Sequence, residues 1–253
     1  WLATEFAARG WDVKAMQELI VESASYRQSA DTSRERDSAD PENRLLARQV
    51  RLRLPAELIR DVTLAASGLL NPAIGGKSVY PPLPDDVGKL ALQRWWKESK
   101  GGDRFRRGLY TFFQRTNPYP QLTTFDAPDS LTTCSRRERS TVPQQALTLL
   151  NGPVFLEAAQ SLAARVIREK KGSDEDRLSY AYGVCLARPP SGLEKDRLLR
   201  YFGERKDALA EDPEAVRQLF LPQGVDGVEP VEAAAWVGVS SILLNLDEFI
   251  TRE

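Results

Sequence analysis

The stretch STVPQQALTLLNGPVFLEAAQSLAARVIREKKGSDEDRLSYAYGVCLA, residues 140–187, decides the fold class. Pro143 and Pro153 each sit where a proline suits the first turn of a helix, and Asn151-Gly152 stands between them as a stop. Ser140 or Thr141 is placed to cap the first of these helices. From Pro153 onward Phe155, Ala158, Ala159, Leu162 and Val166 recur at helical spacing and make one apolar stripe. KKGSDED then reads as a turn, with Ser173 or Asp174 capping a third helix that runs to about Ala187.

The same punctuation extends to both sides. Further helices are predicted over about Gly192–Lys206, Pro213–Phe220 and Val231–Leu246, with LPQGVDGVEP as the loop before the last. At the other end WLATEFAARG reads as a helix ending at Gly10. Asp12 caps a second helix to about Ser23, with Met16, Leu19 and Ile20 on one face. SYRQSADTSRERDSADPEN is polar and reads as an exposed connection, in which Asp40-Pro41-Glu42 starts a helix through Leu45 to Gln49. Leu54-Pro55-Ala56-Glu57 opens another, with Leu58, Ile59, Val62 and Ala65 on one face and a stop near Gly68; within it Arg60-Asp61, like Tyr26-Arg27 before it, reads as a pair of helix-end or interhelical pairing residues.

Between about residues 69 and 142 the character changes. NPAIGGKSVYPPLP is too rich in glycine and proline for a helix. LALQRWWKES is a short helix candidate, and Leu109–Phe113 has the β-propensity of a strand or extended segment. No fixed-period repeat is visible. The expected architecture is therefore mainly α: a single irregular helical domain over 1–253, a proline-rich, loop-rich middle at 69–142, and at most one or two short strands.

Composition narrows the function. The 253 residues carry 35 Lys+Arg against 36 Asp+Glu, with 42% hydrophobic residues. That balance suits a cored globular protein and supplies no whole-molecule attraction to nucleic acid. No window approaches the roughly 20 consecutive apolar residues of a membrane span. The count of histidines is 0, which rules out His-dependent chemistry, a His-ligated metal and a c-type haem attachment motif within this chain. The cysteines, Cys134 and Cys185, leave a disulfide, two buried thiols or one reactive thiol open. The chain starts at Trp1 without a methionine, as expected of a trimmed or partial piece.

No catalytic motif is visible, but FDAPDSLTTCSRRERSTVPQQAL, residues 125–147, gathers chemistry-bearing groups. Asp126 and Asp129 read as an acid–base or hard-cation pair, or as turn residues that accept backbone N–H groups and pair with Arg136, Arg137 or Arg139. The turn reading is preferred. Cys134 lies beside Arg136, Arg137 and Glu138, where cations could make a thiolate or the cysteine could be purely structural. RFRRGLYTFFQRTNPYP interleaves arginines with aromatics, which suits core packing first, a sugar cleft second and single-stranded nucleic acid last. Gly-Gly-Lys-Ser at residues 75–78 lacks the first glycine, strand and helix of a phosphate loop.

Taken in order, SASYRQSA, DPENRLLAR, LPAELIRDVTLAASGLL, GGKSVYPPLP, GLYTFFQRTNPYPQLTTFDAPDSLTTCSRRERSTVPQQALTLLNGPVF, LARPPSGLEKDRL and the closing SILLNLDEFITRE resemble the planctomycete PSD-type domain, domain of unknown function 1553. The likeness spans essentially the whole chain. It implies a large exported protein, periplasmic or envelope-associated, in which a cytochrome c-like domain lies upstream. Any c-type haem belongs to that domain, with no cofactor here, and no catalytic residues come with the family. The expected role is assembly or redox-partner contact, with other domains or subunits of the same protein or complex as partners. The alternatives are a carbohydrate-binding or carbohydrate-active module, motivated by Tyr80, Tyr110 and Tyr119 near carboxylates, and a structural subunit of an envelope assembly. Relatives begin further upstream in a histidine-bearing segment, so a site shared with that segment would be half present here.

Overall fold

A computed structural model describes residues 1–84, 96–129, 131–219 and 228–252. The chain forms two compact units, Trp1–Arg53 with Thr251–Glu253, and Leu54–Ile250. Among the described residues there are twelve α-helices and one two-stranded sheet, so the protein is mainly helical.

The first unit holds α1 (Leu2–Ala8), α2 (Val13–Val21) and α3 (Arg34–Ala39). Asp12 caps α2 as its position predicts, accepting the Lys14 and Ala15 N–H groups at 2.9 and 3.1 Å. Two expectations fail in the polar stretch that follows. The run read as a connection contains α3, because Ser33 caps the Arg36 N–H and Glu35 and Asp37 face the positive end of the helix. The helix expected over Leu45–Gln49 is absent. Asp40 does take the Arg44 and Leu45 N–H groups at 2.8 and 2.7 Å, but Asn43 and Leu46 hold left-handed φ angles of 50° and 53°. A right-handed helix cannot pass through such residues. The Asn43 side chain instead donates to the Arg48 carbonyl at 2.7 Å and accepts the Arg48 N–H. The sheet closes this unit, pairing β1 (Leu52–Arg53) antiparallel with β2 (Thr251–Arg252).

The second unit comprises α4 (Ala56–Ser67), α5 (Pro120–Thr124), α6 (Pro143–Asn151), α7 (Pro153–Glu169), α8 (Asp174–Leu186), α9 (Gly192–Ala210), α10 (Pro213–Leu219), α11 (Pro230–Leu244) and α12 (Asp247–Ile250). Its centre is α7 packed on α11, with α4 against α7 and α9 against α11. The predicted stripe of α7 is buried, and Val154, Ala163, Ala164 and Ile167 are buried as well. α11 is apolar nearly all round, which marks a helix enclosed by its neighbours; its Trp236 ring lies 5.0 Å from Phe202 of α9. Serines open α8 and α9 through reciprocal capping boxes, Ser173 with Asp176 and Ser191 with Glu194. Arg188 then clamps Glu194 of α9 and Glu248 of α12, the closest approaches being 2.8 and 2.6 Å.

Three local expectations are corrected in this unit. α4 does not turn Leu58 and Ala65 inward; both are exposed, and its buried side chains include Ile59, Arg60, Asp61, Thr63 and Leu64. Arg60 and Asp61 pair as expected, but with the irregular segment 104–108 rather than with another helix, through partners 44 to 47 residues away. Neither Ser140 nor Thr141 caps α6. Its N-cap residue is Val142, without a side-chain bond, because the Ser140 hydroxyl is turned onto Asp126. Leu109–Phe113 is not a strand: a 3-10 turn over Gly108–Tyr110 leads to a single parallel bridge between Val79 and Thr111. The helix expected in LALQRWWKES and the loop LPQGVDGVEP fall mainly outside the described residues; Trp96 to Ser99 carries no regular structure.

Candidate functional site

The residues singled out in the 125–147 loop do not gather around one point. Asp126, at a left-handed φ of 61°, accepts the Ser140 N–H at 2.7 Å and its hydroxyl at 2.8 Å. Asp129 accepts the Leu131 N–H at 2.9 Å, a turn of its own. Arg137 leaves the loop and meets Glu57 of α4 at 2.8 Å. Burial alone would raise the Glu57 carboxyl, but the hydrogen bond and charge of Arg137 outweigh it and hold Glu57 below its ordinary value. Arg136 and Glu138 are exposed. Cys134 is an exposed free thiol whose Sγ donates to the Arg136 carbonyl at 3.2 Å. Cys185 is also free, and burial pushes its thiol up to about 12. Among its described residues the loop is tied to itself through Asp126, Asp129 and Cys134 and to α4 through Arg137, and these groups share no common partner.

The tyrosines face protein. Tyr119 is buried at 4% exposure, stacks on Trp96 with ring centroids 5.6 Å apart, and donates its hydroxyl to the Pro82 carbonyl at 2.9 Å. Burial pushes its hydroxyl up to about 12. Tyr80 stacks on Phe112 at 4.8 Å and meets the edge of Trp96, whose indole N–H donates to the Pro81 carbonyl at 2.7 Å. Tyr110 lies under the Arg106 guanidinium at 3.8 Å. Each ring has a face taken by protein, so none offers the free platform that a sugar ring would need on that face.

The arginines of RFRR are absorbed in the same way. Arg106 points two of its nitrogens at the Ala73, Gly75 and Lys77 carbonyls, and the Gly75 N–H reaches the Tyr110 hydroxyl at 2.8 Å. The Gly-Gly-Lys loop is thus wound around a guanidinium. Arg104 pairs with Glu157 of α7 and with Glu98. Arg60 donates to the Arg104 and Arg106 carbonyls at 2.7 and 3.2 Å, and burial lowers its pKa. Asp61 accepts the Gly108 N–H at 2.6 Å and Arg107 Nε at 2.8 Å. Gly108 is required there: a Cβ would lie 2.6 Å from the Glu57 carbonyl oxygen. This is a polar socket that fastens the irregular middle to α4.

The surface that stands out lies in the first unit. Leu2, Phe6, Val13, Met16 and Ile20 line an apolar groove of about 330 Å³ between α1 and α2. Trp1 and Trp11 are exposed at 78% and 69%, and Trp11 meets Phe6 edge-on at 5.1 Å. Of Met16, Leu19 and Ile20, which share one face of α2, only Met16 is buried. The signal was available in the sequence: apolar residues at Trp1, Leu2, Trp11 and Val13 leave these short helices apolar on more sides than one core can cover.

Among the described residues no group of three or more Cys, Asp or Glu is arranged to hold a metal, and no helix is long and apolar enough to cross a membrane. Fold and surfaces together define a helical protein whose polar residues secure its own loops and whose apolar surplus faces outward. The family model PSD1, described as a protein of unknown function (DUF1553), matches residues 1–202, and the chain belongs to that family. Comparison with curated proteins gives no match, and comparison with solved structures gives none either.

Proposed function

We propose that this chain is a noncatalytic contact module that docks another domain or subunit through the groove between α1 and α2. The carrying observation is that groove: an apolar trough lined by Leu2, Phe6, Val13, Met16 and Ile20, with the exposed Trp11 edge-on against its Phe6, tryptophan being the residue type most enriched at binding hot spots. Among the described residues of the 125–147 loop no acid, base and nucleophile converge, which supports contact over catalysis. The partner is an apolar segment of a neighbouring domain or subunit. That it belongs to an exported, haem-bearing assembly is the finer part of the reading, and it rests on the family resemblance alone.

Hydrogen–deuterium exchange over residues 1–53 tests the docking. The chain by itself and the native assembly purified from its host are compared. Protection of α1 and α2 in the assembly alone supports the proposal, and equal exchange in both removes it. The absorption spectrum of the same assembly tests the finer part: no haem band sinks the cytochrome association and leaves the docking to stand or fall on exchange.

A further inference from the structure

The exposed side of α2 is symmetric about one residue. Val13, Gln17 and Val21 stand four apart, which sets them in a single row along the helix, and all three are exposed. Gln17 is the centre of that row, with Val13 four residues before it and Val21 four after. Lys14 and Ile20 flank it in the same way, three residues to either side. The row carries no charge, and a lysine stem lies readily on apolar surface while its ammonium stays in water.

This row borders the trough between α1 and α2, because Val13 and Gln17 also line it. Gln17 is the one polar side chain among the described lining residues. Its amide holds both a donor and an acceptor, so its natural complement is an identical amide. The trough is also preformed. Gly10 and Trp11 hold left-handed φ angles of 68° and 63° at the corner between the helices, and the Trp11 N–H donates to the Phe6 carbonyl at 2.9 Å. Little ordering is then left to oppose association.

We propose that the occupant of the trough is a second copy of this chain, an inference that rests on the docking reading above and names its partner. Two α2 helices cross antiparallel on a twofold axis beside Gln17, and the row of each copy lies in the trough of the other. Val13 of one copy then meets Val21 of the other, twice, and the Lys14 stem covers Ile20. The two Gln17 amides face each other, each donating and each accepting. A single neutral amide in an apolar seam fixes the register at some cost in affinity.

The area suits a weak dimer. Leu2, Trp11, Val13, Ile20 and Val21 are 43% to 69% exposed. At about 250 Å² for a tryptophan and roughly 120 Å² for an aliphatic side chain, covering them removes about 400 Å² of apolar surface per copy. With about two-thirds of a homodimer interface apolar, each copy buries about 600 Å², the low end for specific association.

Sedimentation velocity on the whole chain from about 0.5 to 200 µM tests this, and a monomer–dimer equilibrium half-complete at about 1–100 µM is expected. Val13→Glu, Gln17→Glu and Gln17→Lys each put a charge on the row at an exposed position, and each weakens the dimer about tenfold or more. An equimolar mixture of the Gln17→Glu and Gln17→Lys chains dimerises again, because the opposite charges meet across the axis. A chain that stays monomeric at about 200 µM overturns the second copy; protection of α1 and α2 in the native assembly would still uphold docking to a different subunit, provided the free chain is exchanged at about 0.1 µM, where copies are apart. A dimer that Val13→Glu leaves intact uses another surface and overturns the proposal. A mixture that fails to dimerise overturns the axis at Gln17.

Discussion

Replacing Arg60 by methionine probes the socket that joins α4 to the irregular middle. The side chain is 1% exposed and donates to two backbone carbonyls, those of Arg104 and Arg106. Hydrogen bonds from a charged donor contribute about 1.5–3 kcal/mol each, so the gross loss is about 3–6 kcal/mol. Part of this returns. Arg60 Nη1 has no partner, and the lowered pKa shows that burying the guanidinium is itself costly. Methionine fills a similar volume without that penalty. The expected net cost is about 2–4 kcal/mol. Urea unfolding followed by tryptophan emission reports on this unit through the buried Trp236. With a slope near about 3 kcal/mol/M, the midpoint should fall by about 1 M. A midpoint within about 0.2 M of the parent's, at unchanged slope, would refute the reasoning: the two carbonyls would then be as well served by water as by Arg60.

Three further outcomes are expected. Gly108→Ala drives a Cβ into the backbone of Glu57, at 2.6 Å from its carbonyl oxygen and 2.7 Å from its Cα; overpacking of this kind costs about 1–3 kcal/mol, and calorimetry should show the melting point falling by about 3–10 °C. Arg188 holds the Glu194 carboxyl at about 2 against an ordinary 4.5. A depressed acid contributes stability that is complete above its unfolded value and fades as pH falls from about 4.5 to about 2; with Glu194 a third exposed, screening leaves on the order of 1 kcal/mol. Glu194→Gln should remove that component from urea midpoints taken at pH 5 and pH 2.5, and an unchanged pH dependence would count against the clamp. Asp126→Ala loses both bonds to Ser140 and places alanine at a φ of 61°, for a cost of about 2 kcal/mol, whereas Asp126→Asn keeps the backbone preference and costs about half as much. Faster amide exchange across 131–141 in the alanine variant alone checks this.

What could be read from the sequence follows from the range of the interactions involved. Helix ends are local events. Pro143, Pro153, Pro213 and the serines at 173 and 191 act within four residues of themselves, and the helices they open are where the spacing puts them. Asn43 and Leu46 illustrate the limit, since a residue that tolerates left-handed φ carries no mark that it will adopt it. Arg60 and Asp61 of α4 were legible as pairing residues, but their burial was not, because it depends on carbonyls and an N–H delivered from far along the chain. Charged residues count as outward in any periodicity, and only the fold reveals which groups meet their charge and how deeply they are buried. The 125–147 loop shows the converse: its density of functional groups was plain, but its chemistry depends on convergence, and Arg137 reaches Glu57 rather than a loop carboxylate.

The Gly-Gly-Lys loop is wound around Arg106 through the oxygens of Ala73, Gly75 and Lys77. Every residue type brings the same carbonyl to such a contact, so outside Gly75 and Gly76, whose φ angles of 80° and 88° favour glycine, the support of the loop does not depend on the side chains it displays. Ile74, exposed at 93%, can therefore be exchanged for almost any residue without disturbing its support. Drift at that tip would alter what the protein touches while leaving the way it folds as it was.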